Sequence, residues 1–358
     1  MIRWRDMDWM LLGVVLLISV IGILEIHNAT IATKFAPVWI KQVYFLVAGI
    51  GLLLIFSRLD YKLLVEASPW LYLASVAALG LVLVLGRAIF HSRRWIPVAG
   101  SHLQVSEFVK IVIIVVVARY CGAARLALTW MDVVRVGLLV GLPAVLVLLE
   151  PDLGTALTYI PVAVVGLILG GLRWRQVLLL GLGCLLMLPI AWHELHPYQR
   201  DRIVGFLQPT ADPLGSGYQV LQSKIAVGAG GFWGQGMAQG TQTRGQFLPV
   251  PHTDFIFAAF AEEYGFAGAL LLLGLYLLLL LRLIQNAQLA PDRTAGMVVM
   301  GVVAILAFHV LVNVGMVVGL MPVTGIPLPL MSSGGSSLLF TFIAIGMVMN
   351  IRMARFVN

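Results

Sequence analysis

Charge is scarce in this chain. Asp, Glu, Lys and Arg together make up only 11% of its 358 residues, whereas soluble domains carry roughly a quarter. No stretch has the composition of a separate soluble domain, so one domain spanning residues 1–358 is the simplest organisation. Cysteine is nearly absent. Cys121 and Cys184 lie at the end of one apolar run and in the middle of another, without metal-type spacing or a neighbouring His. Neither a disulfide framework nor a metal site is indicated. A basic stripe is also missing: the formal charge of +7 is scattered through short loops. Membrane orientation and anionic membrane lipid explain such scatter better than nucleic acid does. No internal repeat is legible, which counts against inverted-repeat transporter folds. The apolar run from Trp9 to Leu24 has no small-residue cleavage pattern close behind it and reads as an uncleaved first span.

What the chain has in abundance is apolar surface. Hydrophobic residues make up 60% of it and the mean hydropathy is +0.99, which predicts an all-α integral membrane protein. Because roughly 20 apolar residues cross a bilayer, about ten transmembrane helices are expected, at about 8–26, 38–57, 67–86, 104–120, 132–149, 153–171, 175–192, 254–283, 296–320 and 333–351. An even number puts both termini on one side. The short, basic loops favour placing that side in the cytoplasm, which leaves the long loop at about 193–253 outside.

The stretch Phe247 to Gly265, FLPVPHTDFIFAAFAEEYG, ends this loop and opens an apolar helix. Helical spacing puts Asp254 and Glu262 on one face, an acid at the water boundary with a second two turns below. Thr253 or Asp254 could instead cap the helix. Capping does not account for Glu262, because an ionisable group in hydrocarbon usually faces a cavity or a partner. In the fourth span Gln104, Glu107 and Lys110 recur close to one face, and Glu107 and Lys110 can pair across a turn. Upstream, Arg93, Arg94 and Trp95 sit where cations should be few. They either hold something anionic or snorkel beside an interfacial Trp. Asp152 lies in a tight turn, LEPDLGTAL, as a cavity acid or as the cap of span six. In the long loop, residues 218–231 look like a short amphipathic helix. The glycines between 228 and 236 suggest backbone packed tightly against membrane or substrate. Finally, Pro322, Pro327 and Pro329 forbid regular helix before Ser332, Ser333 and the SSGGSS start of span ten. Such a start can bind an anion or form a packing seam.

Taken in order, EPDLGTA, GYQVLQSKIAVGAGG, PVPHTDFIFAAFAEEYG and MPVTGIPLPLMSSGGSS resemble the SEDS family of shape, elongation, division and sporulation proteins over nearly the whole chain. QGTQTRGQFLPVPHTDF and the short N-terminal tail look more like the elongation member than the division member. Ser333 departs from the tyrosine more often found before the GG pair.

The resemblance implies a peptidoglycan glycosyltransferase of the bacterial cytoplasmic membrane that polymerises lipid II on the outer face. It implies a class B penicillin-binding protein as partner. Asp254 matches the catalytic aspartate, and Glu107, Lys110 and Asp152 match other cavity positions. The chemistry suits this: a carboxylate can take the proton from the attacking sugar hydroxyl. Pyrophosphate departure needs positive charge, for which Lys110, Arg93 and Arg94 are candidates, with a divalent cation such as Mg²⁺ or Mn²⁺ the weaker choice. No other cofactor is expected. A flippase for the same lipid-linked precursor and a purely structural anchor are the rival readings. A flippase needs a polar path to both sides, and an anchor leaves the buried charges unexplained.

Overall fold

The computed structural model describes all residues except 1–5, 32, 34, 86, 90–91, 99–100, 124–127, 196, 211, 213–214, 216 and 356–358. At 85, 87–89, 92–94, 97–98, 101, 188, 190–191, 194 and 198 only the backbone is described. Its ten longest helices fall on the ten predicted spans: α1 (Trp9–Thr30), α2 (Val38–Arg58), α3 (Tyr61–Leu85), α4 (Val105–Ala123), α5 (Trp130–Leu149), α6 (Leu153–Leu169), α7 (Trp174–Glu194), α11 (Ile256–Gln288), α12 (Arg293–Val317) and α13 (Gly335–Ala354). Seven of them are long and apolar enough to cross a membrane; of the rest, α4 carries Glu107, Lys110 and Arg119, and α6 has only 17 residues. Three short helices, α8 (Pro197–Leu207), α9 (Tyr218–Ala229) and α10 (Thr241–Arg244), lie in the long loop. Between α3 and α4 the chain forms a small antiparallel sheet of β1 (Arg87–Ile89), β2 (Ser92–Val98) and β3 (Ser101–Leu103). Sequence reading treats that segment only as interfacial, because two of its three strands have just three residues and show no alternating pattern.

The centre of the bundle is α12 and α13, whose apolar windows are 72% and 83% buried against 17% for α2. Helices apolar all round are stable when enclosed by others, whereas Tyr44, Val47 and Ile55 of α2 face outward as lipid-facing side chains do. Small residues let the inner helices close up. Gly346 of α13 lies against the Leu53 carbonyl of α2, and Gly49 lies against the Phe342 ring. Pro69 in α3 has no N–H to give the Val65 carbonyl; the Ser68 hydroxyl and Arg119 Nη1 donate to it instead, at 2.7 and 2.9 Å. At one end of the bundle Asp8 caps α1 and accepts from Arg282 at 3.3 Å, Asn286 at 3.1 Å and Arg352 at 2.7 Å. This network gathers the start of α1 and the end of α13 at the same end.

Helix α11 is broken at Gly265, whose φ of 66° and ψ of −166° suit glycine alone. A break orphans carbonyls before it and amides after it, and the long loop supplies both sets of partners. Gln235 N and Gly236 N donate to the Glu262 and Glu263 carbonyls, each at 3.0 Å, while Phe266 N and Ala267 N donate to the Gly231 and Phe232 carbonyls at 2.9 and 3.1 Å. An added Cβ at Gly234 would overlap the Glu263 carbonyl, and one at Gly230 the Ala261 carbonyl. At Gly230 and Gly234 the tight packing that the glycines suggested is thus made against the chain's own helix. Gly234→Ala is therefore expected to destabilise the purified protein by about 3 kcal/mol, through both backbone overlap and a left-handed φ. Gly236→Ala meets no backbone within 4 Å and should lose only about 1 kcal/mol. Thermal melting in detergent would separate the two, and equal shifts would contradict the packing account.

Candidate active site

A cavity of about 450 Å³ opens where α4, α6, the turn before α11 and the α12–α13 loop meet. Its acidic lining residues are Glu107, Asp152 and Asp254. Asp254 lies in the turn that precedes α11, whose N-cap is Phe255 without a side-chain cap bond. The N-cap position itself is thus held by Phe255 and not by Asp254. Its backbone is pinned from three directions: Asn313 Nδ2 donates to the Asp254 carbonyl at 3.0 Å, the Ser332 hydroxyl to the Thr253 carbonyl at 2.7 Å, and Ser333 N to the His252 carbonyl at 2.9 Å. Asn313 also holds the Ile326 carbonyl at 2.9 Å, so one amide ties the turn to the opposite wall. Burial pushes the His252 imidazole below its usual range, which keeps it from adding charge next to Asp254 at neutral pH.

Arg202 of α8 reaches the same cavity, with Nη1 3.4 Å from the Val323 carbonyl. A Cβ placed on Gly325, φ 73°, would stand 3.7 Å from Asp254 Oδ2 and 4.0 Å from Arg202 Nη1. Glycine there keeps open the space bordered by the carboxylate and the guanidinium.

Asp152 combines both predicted roles. It caps α6, accepting from Thr155 N at 3.1 Å, and its other oxygen accepts from Thr155 Oγ1 at 2.9 Å and Gln104 Nε2 at 2.6 Å, while the residue lines the cavity. Glu107 also lines it, with Oε1 taken by Lys110 Nζ at 2.7 Å and Oε2 buried without a hydrogen-bond partner. Lys110 is 0% exposed and stands behind Glu107, 3.2 Å from His309 Nε2 and 5.1 Å from the centre of the Phe340 ring. It is not on the wall, which corrects its reading as a cation that meets pyrophosphate. Ser333 lies on the wall with the Gly334 to Ser337 start of α13.

Two other expectations are corrected. Glu262 does not share the cavity: its carboxylate accepts from Gln242 N at 2.7 Å, Thr243 N at 3.1 Å, Thr243 Oγ1 at 2.7 Å and Thr241 Oγ1 at 3.2 Å. It anchors α10, because the loop folds back over that face of α11. Ser332 is a staple rather than an anion ligand, since its hydroxyl also accepts from Leu328 N at 2.8 Å. The side chains of Arg93 and Arg94 lie outside the described ones, their backbone being on β2. Among the described residues no group of three His, Cys, Asp or Glu could by itself hold a metal ion. Sequence reading missed Arg202, His309 and Asn313, although a His and an Asn inside an otherwise apolar span are themselves a signal.

The sequence model of FtsW, RodA and SpoVE, described as cell cycle protein, matches residues 4–356. The chain belongs to this family. Within the FtsW/RodA/SpoVE family it is 38% identical over 311 residues to the peptidoglycan glycosyltransferase MrdB of Escherichia coli K12, covering 86% of this chain and 83% of that one. It is 31% identical to the peptidoglycan glycosyltransferase RodA of Treponema pallidum, with 97% of each chain covered. Among solved structures it resembles the rod shape determining protein RodA of Thermus thermophilus, with TM-score 0.74, 31% identity and 99% of each chain covered. A chain of a peptidoglycan synthase complex that coordinates polymerization and crosslinking superposes with TM-score 0.83 at 35% identity, covering 99% of this chain and 100% of that one. The SEDS resemblance and the polytopic helical fold are thereby borne out.

Proposed function

We propose that this peptidoglycan glycosyltransferase polymerises lipid II with Asp254 as general base. Membership of the family and relatives named peptidoglycan glycosyltransferase support the activity. The observation that carries the residue assignment is the pinned turn, which holds Asp254 on the cavity wall one residue before the N-cap of α11. In the reaction the Asp254 carboxylate takes the proton of an acceptor sugar hydroxyl, whose oxygen bonds to the anomeric carbon of a second lipid-linked sugar. The bond from that carbon to pyrophosphate breaks, and the electron pair leaves with the lipid carrier. One displacement inverts the carbon and needs no covalent intermediate. Arg202 borders the same space as Asp254 and is the described cation on the wall suited to meet the leaving charge.

Orientation and partner complete the proposal. The cavity and the long loop face outward, both termini lie in the cytoplasm, and the crosslinking partner is a class B penicillin-binding protein. Reporter fusions at the termini and within residues 197–253 check the first part; a loop found inside would put the cavity on the wrong side for wall synthesis. Flipping is disfavoured because α12 below the cavity level is lined by Val298, Val299, Val302 and Ile305, all buried and apolar. Purified protein in detergent, given lipid II and its partner, is expected to make glycan polymer on a gel. A flippase would make none where there is no membrane to cross.

A further inference from the structure

Behind Glu107 runs a buried chain of polar groups that the reaction as written does not use. Lys110 Nζ donates to Glu107 Oε1 at 2.7 Å, lies 3.2 Å from His309 Nε2 and has the Phe340 ring at 5.1 Å. Two of the ammonium's three N–H bonds thus have partners, and the ring adds a cation–π contact. The lysine is wholly enclosed, so it acts on substrate only through Glu107. His309, also buried, has Nδ1 3.1 Å from the Pro327 carbonyl. A carbonyl only accepts, which assigns the imidazole proton to Nδ1 and leaves the Nε2 lone pair to face the ammonium. The tautomer follows from Pro327, and Pro327 is itself on the cavity wall.

We infer that His309 is a positioning residue for the glycosyl transfer. By accepting from Lys110 it turns the ammonium toward Glu107, and by donating to Pro327 it ties this pair to the wall that faces Asp254. Without it, Lys110 has one more buried donor unpaired and its ammonium is no longer fixed on Glu107 Oε1, so the Glu107 carboxylate loses its fixed place at the cavity wall. Outer groups that orient a site residue typically contribute 10- to 100-fold in activity. The inference rests on the reading of this cavity as the active site.

The test is lipid II polymerisation by purified full-length variants, with melting temperature read in parallel. His309→Leu fills the space without an acceptor and His309→Met with only a weak one; both should lower kcat about 10- to 100-fold with KM nearly unchanged, since His309 touches no substrate. His309→Gln carries both a donor and an acceptor and should restore most of the rate. If folded His309→Met is as active as wild type, or if His309→Gln is as impaired as His309→Met, the inference is overturned. Glu107→Gln separates the two levels: inactivity there with an unimpaired His309→Met sinks the inference alone. A fully active Glu107→Gln removes the reading of the cavity and the inference with it.

Discussion

Asp254→Asn is expected to abolish visible polymer while leaving the protein folded and in the membrane. The carboxamide has the size of the carboxylate but cannot take a proton, and losing a general base typically lowers the rate about 100- to 10,000-fold. Stability should be spared for a local reason. What holds the turn is its backbone, gripped by Asn313, Ser332 and Ser333 through the carbonyls of residues 252–254, and none of those bonds involves the Asp254 side chain. The check is polymer yield against melting temperature for wild type and variant. A variant that polymerises at the wild-type rate would move the search for the base to Glu107 or Asp152, the other carboxyls on the wall.

Lys110 should behave in the opposite way, with stability lost together with activity. Its ammonium and the Glu107 carboxylate form a pair with side chains 0% and 5% exposed. Removing one partner of a buried pair strands the other and typically destabilises by about 3–5 kcal/mol. Lys110→Met should therefore reach the membrane in reduced amount and melt early. Adding Glu107→Gln removes the stranded charge and should return most of the stability without returning polymer. If Lys110→Met alone is fully stable and inactive, the pair is not a structural necessity and Lys110 serves chemistry only.

The contrast between Glu107 and Glu262 shows how far reading residues alone reaches. Both are acids inside apolar runs, and both are expected at the cavity by their helical spacing. Spacing along a helix decides which residues share a face, but what that face meets is decided by distant segments. Glu262 meets the returning loop at Thr241 to Thr243, and Glu107 meets an open wall. Arg202 was hidden for the same reason, since nothing near it in the chain shows that α8 folds over Gly325. Ser332 and Ser333 are adjacent, yet one is spent on stapling the turn while the other lines the cavity.

Composition and periodicity alone determined the embedding in a membrane, the ten helices and their approximate limits, because crossing hydrocarbon demands a long apolar run that is a local property of the chain. The order of motifs determined the family and the stretch holding Asp254. Only the tertiary structure decided that Asp254 is pinned by its backbone at the cavity wall, that Lys110 is sealed behind Glu107, and that the glycine run mends the break at Gly265. Each of those outcomes depends on which buried polar group finds which partner, and the partners lie tens to hundreds of residues apart in the chain, where no local pattern records them.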